Sequence, residues 1–234
     1  TGIFFETELS TSARKFLFTY KMFSEGYAAV PNQGMQAIPT QLKGKLNKTD
    51  FHFKSKVESY KGGLIKLQSG STHTFDYVIN ASNNLASIKW LSCENLYFDT
   101  NTSVLNEPIL GLIANQNSLI NNIHFVSDIQ NVNTSGAMLS VTIVKEHNLN
   151  ESELIKKVVQ ELEQECGIKN AEFLRRYTVK HALPNLETQK YEPIESELWI
   201  DDKTILAGDH TCNASLNSAM LSGKMAANAV LNRN

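Results

Sequence analysis

The sequence predicts an α+β (mixed α/β) fold, on three observations. Apolar residues recur at helical spacing in the first 25 residues and again around residue 155. Two stretches, 51–81 and 96–183, contain short β-rich runs separated by turn signals. The chain closes with a short apolar strand, a polar loop and an alanine-rich helix. Together these patterns indicate helices and short strands mixed along one chain.

The N-terminal part is predicted to be helical. Ser10 or Thr11 can cap a helix that Gly26 is placed to end. Apolar residues spaced three and four apart predict one buried face for this helix, formed by Phe16, Leu17, Tyr20 and Phe23. Residues 31–42 are interpreted as a turn followed by a short helix, with Pro39 near its start.

The middle of the chain is predicted to be mostly strands. Residues 51–81 read as a meander, with turns at Gly62-Gly63 and Ser69-Gly70. Further strands are predicted at 96–98, 109–114, 123–126, 138–144 and 176–183. A helix is predicted over 151–166, because Asn150 and Glu153 form a capping-box pattern and an apolar stripe follows them.

The last 35 residues contain a strand–loop–helix unit. Residues 204–207 form a short apolar strand that ends at Gly208-Asp209. Ser215 is the predicted N-cap of a helix from Leu216 to about Leu231. An acidic side chain at the end of a strand can accept hydrogen bonds from sugar or ribityl hydroxyls, and a helix N-terminus favours negative charge. The alternative is an ordinary strand–loop–helix with a surface Asp.

Composition excludes several classes of protein. The chain has 22 Lys plus Arg and 24 Asp plus Glu, with no basic run typical of a nucleic-acid surface. No apolar run approaches the roughly 20 residues of a membrane span, and the first residues do not resemble a secretory signal. Three widely spaced cysteines and six scattered histidines predict no metal site and no disulfide framework. Free thiols indicate a reducing, cytoplasmic setting.

Three segments resemble flavin-containing amine oxidases, protoporphyrinogen oxidases and phytoene desaturases. The C-terminal run Ala207-Gly208-Asp209-His210-Thr211, continuing through residues 215–227, is similar to the motif that closes this family, "AGD…S-hydrophobic-x-x-A-x-x-SG-x-x-AA". Residues 31–42 resemble "P-x-G-G-M-x-x-I-P-x-x-L", and residues 57–81 resemble "V-x-x-I…L-x-x-G…D-x-V-I-x-A". Gln33 and Tyr60 depart from these patterns, where the family has glycine and an aliphatic residue.

The resemblance implies FAD as cofactor and assigns residues to it. Val57 would contact the adenine edge through its backbone, and Gly208 and Asp209 would hold the ribityl–pyrophosphate region. Ser215, Leu216 and Asn217 would present the helix N-terminus to the N1–C2 carbonyl side of the flavin.

The resemblance also implies a domain organisation. Residues 31–95 and 191–234 would belong to the FAD-binding domain, 96–190 to an antiparallel substrate-binding sheet with a helix, and 1–30 to the end of the substrate domain's helical part.

The family's phosphate-binding strand–GxGxxG–helix is the part without a counterpart here. The 12 glycines contain no such spacing. We therefore expect the N-terminal Rossmann βαβ to be missing, the chain to be the C-terminal portion of a longer protein, and FAD to be absent from it. The apolar faces left uncovered predict a homo-oligomer.

Two hypotheses for function follow. The first is an FAD-dependent oxidoreductase that removes a hydride from a small or apolar substrate, present as a part that is inactive alone. The second is a non-catalytic module of the same fold that binds a ligand or a partner chain. No catalytic residue is assigned, although His181, Tyr177 and Tyr191 are candidates for lining a substrate cavity, with core packing as the alternative. Cys212 is a candidate for a covalent flavin tether, since a helix N-terminus lowers the pKa of a thiol, with a small residue suited to a tight loop as the alternative.

Overall fold

A computed structural model describes residue 4 and residues 12–82, 88–105, 107–129, 136–186, 190 and 192–233. The chain divides into two compact units. Unit 1 is formed chiefly by Tyr20–Lys45 and Leu91–Ala182, and unit 2 by Ser12–Thr19, Leu46–Trp90 and Leu183–Asn234. Mixed helices and antiparallel sheets confirm the predicted α+β class in its coarse form. No helix in the described residues is both long and apolar enough to cross a bilayer.

A five-stranded sheet forms the centre of unit 1. Its strands lie in the order β6-β7-β8-β5-β9, and the registered pairs β6–β7, β7–β8 and β8–β5 are antiparallel. Their bounds are β5 Trp90–Thr100, β6 Gly111–Leu112, β7 Ile120–Phe125, β8 Ala137–Ile143 and β9 Glu172–Pro184. A one-turn helix, α3 (Val126–Ile129), follows β7.

Helix α4 (Glu151–Cys166) packs on one face of this sheet. Alternate strand residues, among them Leu96, Phe98, Leu139 and Val141, are buried against an apolar stripe on the helix. That stripe consists of Leu154, Val158 and Leu162. The predicted helix is confirmed in detail: Asn150 and Glu153 form the capping box, and Gly167 ends the helix at φ 67°.

The opposite face of the sheet carries both polar and apolar side chains. Cross-strand register places Tyr97 opposite Ser140 and Asn95 opposite Thr142. Thr142 donates its hydroxyl to Asn95 Oδ1 at 3.3 Å, and Asn95 Nδ2 donates to Ser140 Oγ at 3.3 Å. The two faces therefore have different chemistry, and only the one covered by α4 belongs to the apolar core.

Unit 2 contains two three-stranded sheets. Strands β1 (Val57–Lys61), β2 (Leu64–Leu67) and β3 (Thr72–Thr74) form the predicted meander. The second sheet has the order β10-β11-β4, with β4 at Val78–Asn80, β10 at Trp199–Asp201 and β11 at Thr204–Leu206. In it, β11 runs parallel to β4 and antiparallel to β10.

Helix α6 (Leu216–Leu231) follows β11 and packs closely against it. Ala226 and Ala229 are buried together with Ile205, Ala207 and Leu198. Small side chains on the helix permit the close approach that its alanine-rich sequence predicts. Short helix α5 (Glu195–Leu198) precedes β10 and supplies Leu198 to this cluster.

The first helix differs from its prediction. Helix α1 (Ala13–Glu25) forms and stops before Gly26, but none of its residues is buried. Phe16, Leu17, Tyr20 and Phe23 are 54%, 62%, 67% and 59% exposed. The predicted buried face is therefore wrong within the described structure, because helical periodicity marks an apolar stripe and does not supply the surface that covers it. Helix α2 spans Ala37–Gly44, with Pro39 in its first turn.

Several strand boundaries also differ. Of the predicted strand 109–114, Gly111–Leu112 form the short edge strand β6, and Ile113 N extends the pairing by donating to Asn121 O of β7 at 3.1 Å. Val126 begins α3 instead of ending a strand, since the β7–β8 ladder stops at the pair of Phe125 and Leu139. Strands β5 and β9 are longer than predicted. Their additional residues include charged side chains, which a pattern of apolar residues in the sequence does not identify as strand.

Candidate functional site

The carboxyl ends of two parallel strands meet at one edge of the unit 2 sheet. Leu206 of β11 lies opposite Asn80 of β4, and Ala207 N donates to Asn80 O at 2.9 Å. Parallel strands end at the same edge, so the residues after each strand come together there. This edge is where open α/β sheets bind ligands, and it is where Gly208-Asp209 lies.

Gly208 occupies a backbone position that only glycine tolerates. Its φ is +142°, and a Cβ placed there would lie 2.5 Å from the His210 ring. Gly208 N donates to Ser222 Oγ on α6 at 2.8 Å, and Thr211 Oγ1 donates to Gly208 O at 2.7 Å. The glycine is therefore held from both the helix and the following turn.

Asp209 starts a single 3₁₀ turn over Asp209–Thr211. Its backbone oxygen accepts hydrogen bonds from the N–H groups of Cys212 and Ala214, each at 3.1 Å. Burial raises the pKa of the half-buried Asp209 carboxyl, and His210 and Lys15 partly oppose that rise. Burial likewise lowers the pKa of Lys15. A carboxylate with this surrounding gains from additional hydrogen-bond donors.

The loop between the 3₁₀ turn and α6 is hydrogen-bonded to the backbone of Lys190. Cys212 Sγ donates to Lys190 O at 2.9 Å, and Lys190 N donates to Cys212 O at 3.0 Å. Asn213 Nδ2 also donates to Lys190 O, at 3.2 Å, while Asn213 Oδ1 accepts from the hydroxyls of Ser215 and Ser218. These contacts fix the direction in which α6 begins.

The thiol of Cys212 is not activated in the way the sequence suggested. The side chain is buried, and burial raises the pKa of the Cys212 thiol. The helix N-terminus was expected to lower that pKa. Burial outweighs the hydrogen bond with Ser218 and the charge of Lys190, which act to lower the pKa of this thiol, and the charge of Glu192 adds to the rise.

The N-terminus of α6 is capped by Ser215, and one face of its first two turns is exposed to solvent. Ser215 Oγ accepts from Ser218 N at 3.2 Å, which confirms the predicted N-cap. Leu216 and Met220 are each 51% exposed, and Asn217 is exposed. Ser218 and Ser222 on the other side are buried. The helix end therefore offers an accessible surface with the positive end of its dipole.

A pocket of about 540 Å³ lies beside the carboxyl end of β4. It is lined by residues 56–58, Tyr60 and Ile65 on one side and residues 78–82 on the other. Asn80 Nδ2 donates to Tyr60 OH at 2.7 Å, so the two walls are joined by a hydrogen bond. Val57 therefore lines the same pocket as Asn80, the residue of β4 that pairs with Leu206 of β11.

A second cavity, of about 610 Å³, lies within unit 1. It is lined by Asn95, Tyr97, Met138, Leu174, Arg175, Tyr177 and Val179. The Tyr97 and Tyr177 rings meet edge to face with centroids 5.9 Å apart. Tyr177 thus lines a cavity, whereas His181 is exposed and does not line it, and Tyr191 lies outside the described residues.

The sequence matches one protein family over nearly its whole length. The model of the flavin containing amine oxidoreductases matches residues 1–231. The chain belongs to the flavin containing amine oxidoreductase family. No curated protein sequence matches it at a significant level.

Solved structures similar to this amine oxidoreductase chain share its fold at low identity. A candidate protoporphyrinogen oxidase from Exiguobacterium sp. 255-15 is 14% identical with a TM-score of 0.67, over 87% of this chain and 52% of that one. A redesigned putrescine oxidase is 12% identical with a TM-score of 0.63, over 87% and 54%. A reduced UDP-galactopyranose mutase is 12% identical with a TM-score of 0.52, over 64% and 40%. The chain spans about half the length of the first two structures.

Five of the six residues that the sequence assigned to the family's cofactor lie in one short segment. Gly208 and Asp209 follow β11, and Ser215, Leu216 and Asn217 open α6. Val57 lies on a different sheet of unit 2, at the pocket that ends on β4. All six are described, and their roles toward a cofactor stay predictions.

Several residues at this edge were not singled out from sequence. Ser222 holds Gly208, and Asn80 binds Ser82 N and Oγ through its Oδ1 at 3.0 and 2.7 Å. Ser222 belongs to the "SG" of the terminal motif, which was the available signal. Tyr60 was noted only as a departure, and its hydroxyl proves to bind Asn80.

Proposed function

We propose that this chain is part of an FAD-dependent oxidoreductase that removes a hydride from a small or apolar substrate. The observation that carries the proposal is the parallel pair β4–β11, whose carboxyl ends lie together and lead into Gly208 and the capped N-terminus of α6. Family membership over residues 1–231 supports the same assignment.

The residues present fit the nucleoside, ribityl and ring portions of FAD. A pocket beside Val57 is large enough to admit a nucleobase, and its floor carries the Asn80 and Ser82 polar groups. Asp209 offers a carboxylate that gains from hydroxyl donors. The first turn of α6 offers backbone N–H groups beside exposed Leu216 and Asn217.

Each residue has a defined role in this proposal. FAD, when bound, supplies the acceptor for the hydride. Asp209 would accept hydrogen bonds from the ribityl hydroxyls and so would orient the cofactor. Ser222 keeps the Gly208 backbone in the conformation that aims Asp209. The α6 N-terminus would face the pyrimidine side of the ring, where its partial positive charge favours a negative charge.

The loop that binds the pyrophosphate in this family has no counterpart in the sequence. The glycines show no GxGxxG spacing, which is the family's phosphate-binding loop. We propose that a strand–GxGxxG–helix unit outside this sequence completes the site, and that the chain by itself retains FAD poorly and is inactive.

The substrate domain is proposed to be built around the unit 1 sheet. The sheet face away from α4, with its cavity beside Tyr97 and Tyr177, would hold the substrate, and the division at residues 96–190 stays a prediction. Unit 2 combines Leu46–Trp90 with Leu183–Asn234, which supports assigning both to the FAD-binding part. A cytoplasmic location and a homo-oligomer stay predictions.

Visible absorption tests the function. We would fuse the chain behind a family strand–GxGxxG–helix unit, purify it and record its spectrum between 350 and 500 nm, a range that covers the flavin bands. The proposal expects bound flavin that is bleached anaerobically by a member of a panel of amines, carboxylates and polyenes. A folded protein that takes up no flavin from excess FAD would contradict it.

The second candidate is a non-catalytic ligand-binding module. The unit 1 cavity favours it, because the described lining of that cavity comes from β5, β8 and β9 and includes none of the residues assigned to FAD. Ligand binding by a fused protein that takes up no flavin would support this candidate over the first.

A further inference from the structure

Two neighbouring arginines on β9 have different surroundings. Arg176 lies on the α4 side of the sheet, where its Nη2 donates to Glu94 Oε1 at 2.7 Å and its Nη1 is 4.0 Å from Glu151 Oε2. Arg175 lines the cavity on the other side. Among the residues that the structure describes, no carboxylate lies within ion-pair distance of Arg175.

An interruption of the strand alternation places Arg175 in the cavity. Phe173 packs on the apolar core, with its ring 5.8 Å from that of Phe98, and Arg176 also faces the helix side. Strict alternation would put residues three apart on opposite faces. Both Leu174 and Arg175 therefore lie on the cavity side, which adds a cation to an otherwise uncharged lining.

The cavity wall is apolar except at two points. Met138, Leu174 and Val179 supply aliphatic surface, and Tyr97 and Tyr177 supply aromatic surface. Asn95 is neutral and is already engaged with Ser140 and Thr142. Arg175 is thus the one charged residue in the described lining, and no acidic residue contributes to it.

The aromatic pair is not arranged as a cage for a cation. The Arg175 guanidinium carbon lies over the Tyr177 ring, 5.6 Å from its centroid. The ring face that would attract a substrate ammonium is therefore already near a positive charge. Tyr97 meets Tyr177 edge to face at 89°, so no gap between parallel rings is present in this described pair.

We infer that the unit 1 cavity selects a molecule with an aromatic or aliphatic body and a carboxylate group, and disfavours the amine of the same body. The body lies against Met138, Leu174 and the tyrosines, and the carboxylate pairs with Arg175. Identifying this ligand as the substrate rests on the proposed function, but the binding preference itself does not.

Asp99 is the competing group. It lies two residues beyond Tyr97 on β5, and its register partner is Met138, which lines the cavity. Asp99 does not itself line the cavity, and a Cβ placed on Gly136 would lie 2.5 Å from Asp99 Oδ1. The carboxylate is thus packed against the backbone at Gly136, and we expect it to contribute less than Arg175.

Three probes that share a phenyl ring on a four-carbon chain and differ in their polar group test the inference. Dissociation constants of 4-phenylbutyrate, 4-phenylbutanol and 4-phenylbutylamine would be measured by calorimetry on the chain as it exists. We expect the carboxylate to bind about tenfold or more tightly than the amine, a difference of about 1.4 kcal/mol. The alcohol should fall between them.

Two variants locate the effect. Arg175→Gln should abolish the preference for the carboxylate, whereas Arg175→Lys should keep it in weaker form. Asp99→Asn is the matched control and should leave the order of the three probes unchanged. Arg175 is exposed on an edge strand, so both its variants should fold, which circular dichroism would verify.

Three results would overturn the inference: tighter binding of the amine, a preference unchanged in Arg175→Gln, or no binding of any probe at millimolar concentration. None of these measurements involves flavin. A carboxylate preference without flavin uptake by the fused protein would contradict only the proposed function, and flavin uptake without the preference would contradict only this inference.

Discussion

The backbone N–H of Gly208 donates a 2.8 Å hydrogen bond to Ser222 Oγ, fourteen residues further along the chain. Ser222 is fully buried, and its hydroxyl donates a hydrogen bond to Ala219 O at 2.8 Å. This relay ties the end of β11 to the second turn of α6, and so fixes the segment that carries Asp209.

Replacement of Ser222 by Ala should destabilise the protein. The Gly208 N–H would lose its acceptor, which costs about 1–3 kcal/mol for a desolvated donor. Urea unfolding at equilibrium would measure the change. Ser71→Ala on the exposed β2–β3 turn is the control, and it should change the free energy of unfolding by less than about 0.5 kcal/mol. Equal effects of the two changes would show that the relay contributes nothing.

Two glycines near the site should respond oppositely to alanine. Gly208→Ala should cost about 1–3 kcal/mol, because φ is +142° and the Cβ would meet the His210 ring. Gly223→Ala within α6 should be neutral or stabilising by up to about 1 kcal/mol, since no atom lies within 4 Å of the added Cβ. Thermal unfolding of both variants tests the pair, and a stable Gly208→Ala variant would refute the strained conformation.

Glu161 should make the free energy of unfolding decrease at acidic pH. Burial acts to raise the pKa of this carboxyl, yet hydrogen bonds from Ser118 Oγ, Leu119 N and Ile120 N hold the pKa below its ordinary value. The contribution of Glu161 to the free energy of unfolding is therefore fully present above the pKa of an ordinary glutamate, about 4.3. It is lost as the pH falls through the lowered pKa of Glu161.

Glu161→Gln tests that dependence. It should lower the free energy of unfolding at pH 7 by about 1–3 kcal/mol, because the amide cannot accept all three donors. It should also flatten the loss of stability between about pH 5 and 3. Glu163→Gln, on an exposed position of the same helix, is the matched control. A wild-type slope retained in Glu161→Gln would contradict this account.

The cysteines should react in order of exposure. Burial raises the thiol pKa of both Cys212 and Cys166, but Cys212 is only 1% exposed whereas Cys166 is half-buried at the end of α4. Iodoacetamide labelling followed by peptide mass spectrometry should modify Cys166 first and Cys212 last. Early labelling of Cys212 would contradict its burial.

The fused protein should release its flavin on acid precipitation, because Cys212 is not expected to form a covalent bond to it. Flavin that stays in the pellet but is lost in Cys212→Ser would identify Cys212 as a covalent tether.

Local sequence signals predicted the elements whose determinants are close in sequence. The α4 capping box needs only Asn150 and Glu153, and the α6 N-cap needs only Ser215 and Ser218. Both were predicted correctly for that reason. The exposed stripe of α1 shows the limit, because burial depends on a second surface that periodicity does not reveal.

Contacts between distant residues could not be predicted in the same way. Glu161 binds a loop more than 40 residues earlier, and Lys190 fastens Cys212 from a segment without a motif. The unit 1 cavity depends on which strand lies beside β5, and on an interrupted alternation that turns Arg175 toward the cavity. Pairing and irregularities of this kind are tertiary properties.

The dissociation constant of FAD from an Asp209→Ala variant tests the central claim most directly. The change would be made in the chain fused behind a family strand–GxGxxG–helix unit, with Asp202→Ala on the exposed β10–β11 turn as control. Loss of charge-assisted hydrogen bonds should weaken binding by about 1–3 kcal/mol, or roughly 5- to 150-fold, while Asp202→Ala changes nothing. An unchanged dissociation constant in a folded Asp209→Ala variant would show that Gly208-Asp209 is a structural corner and not a cofactor site.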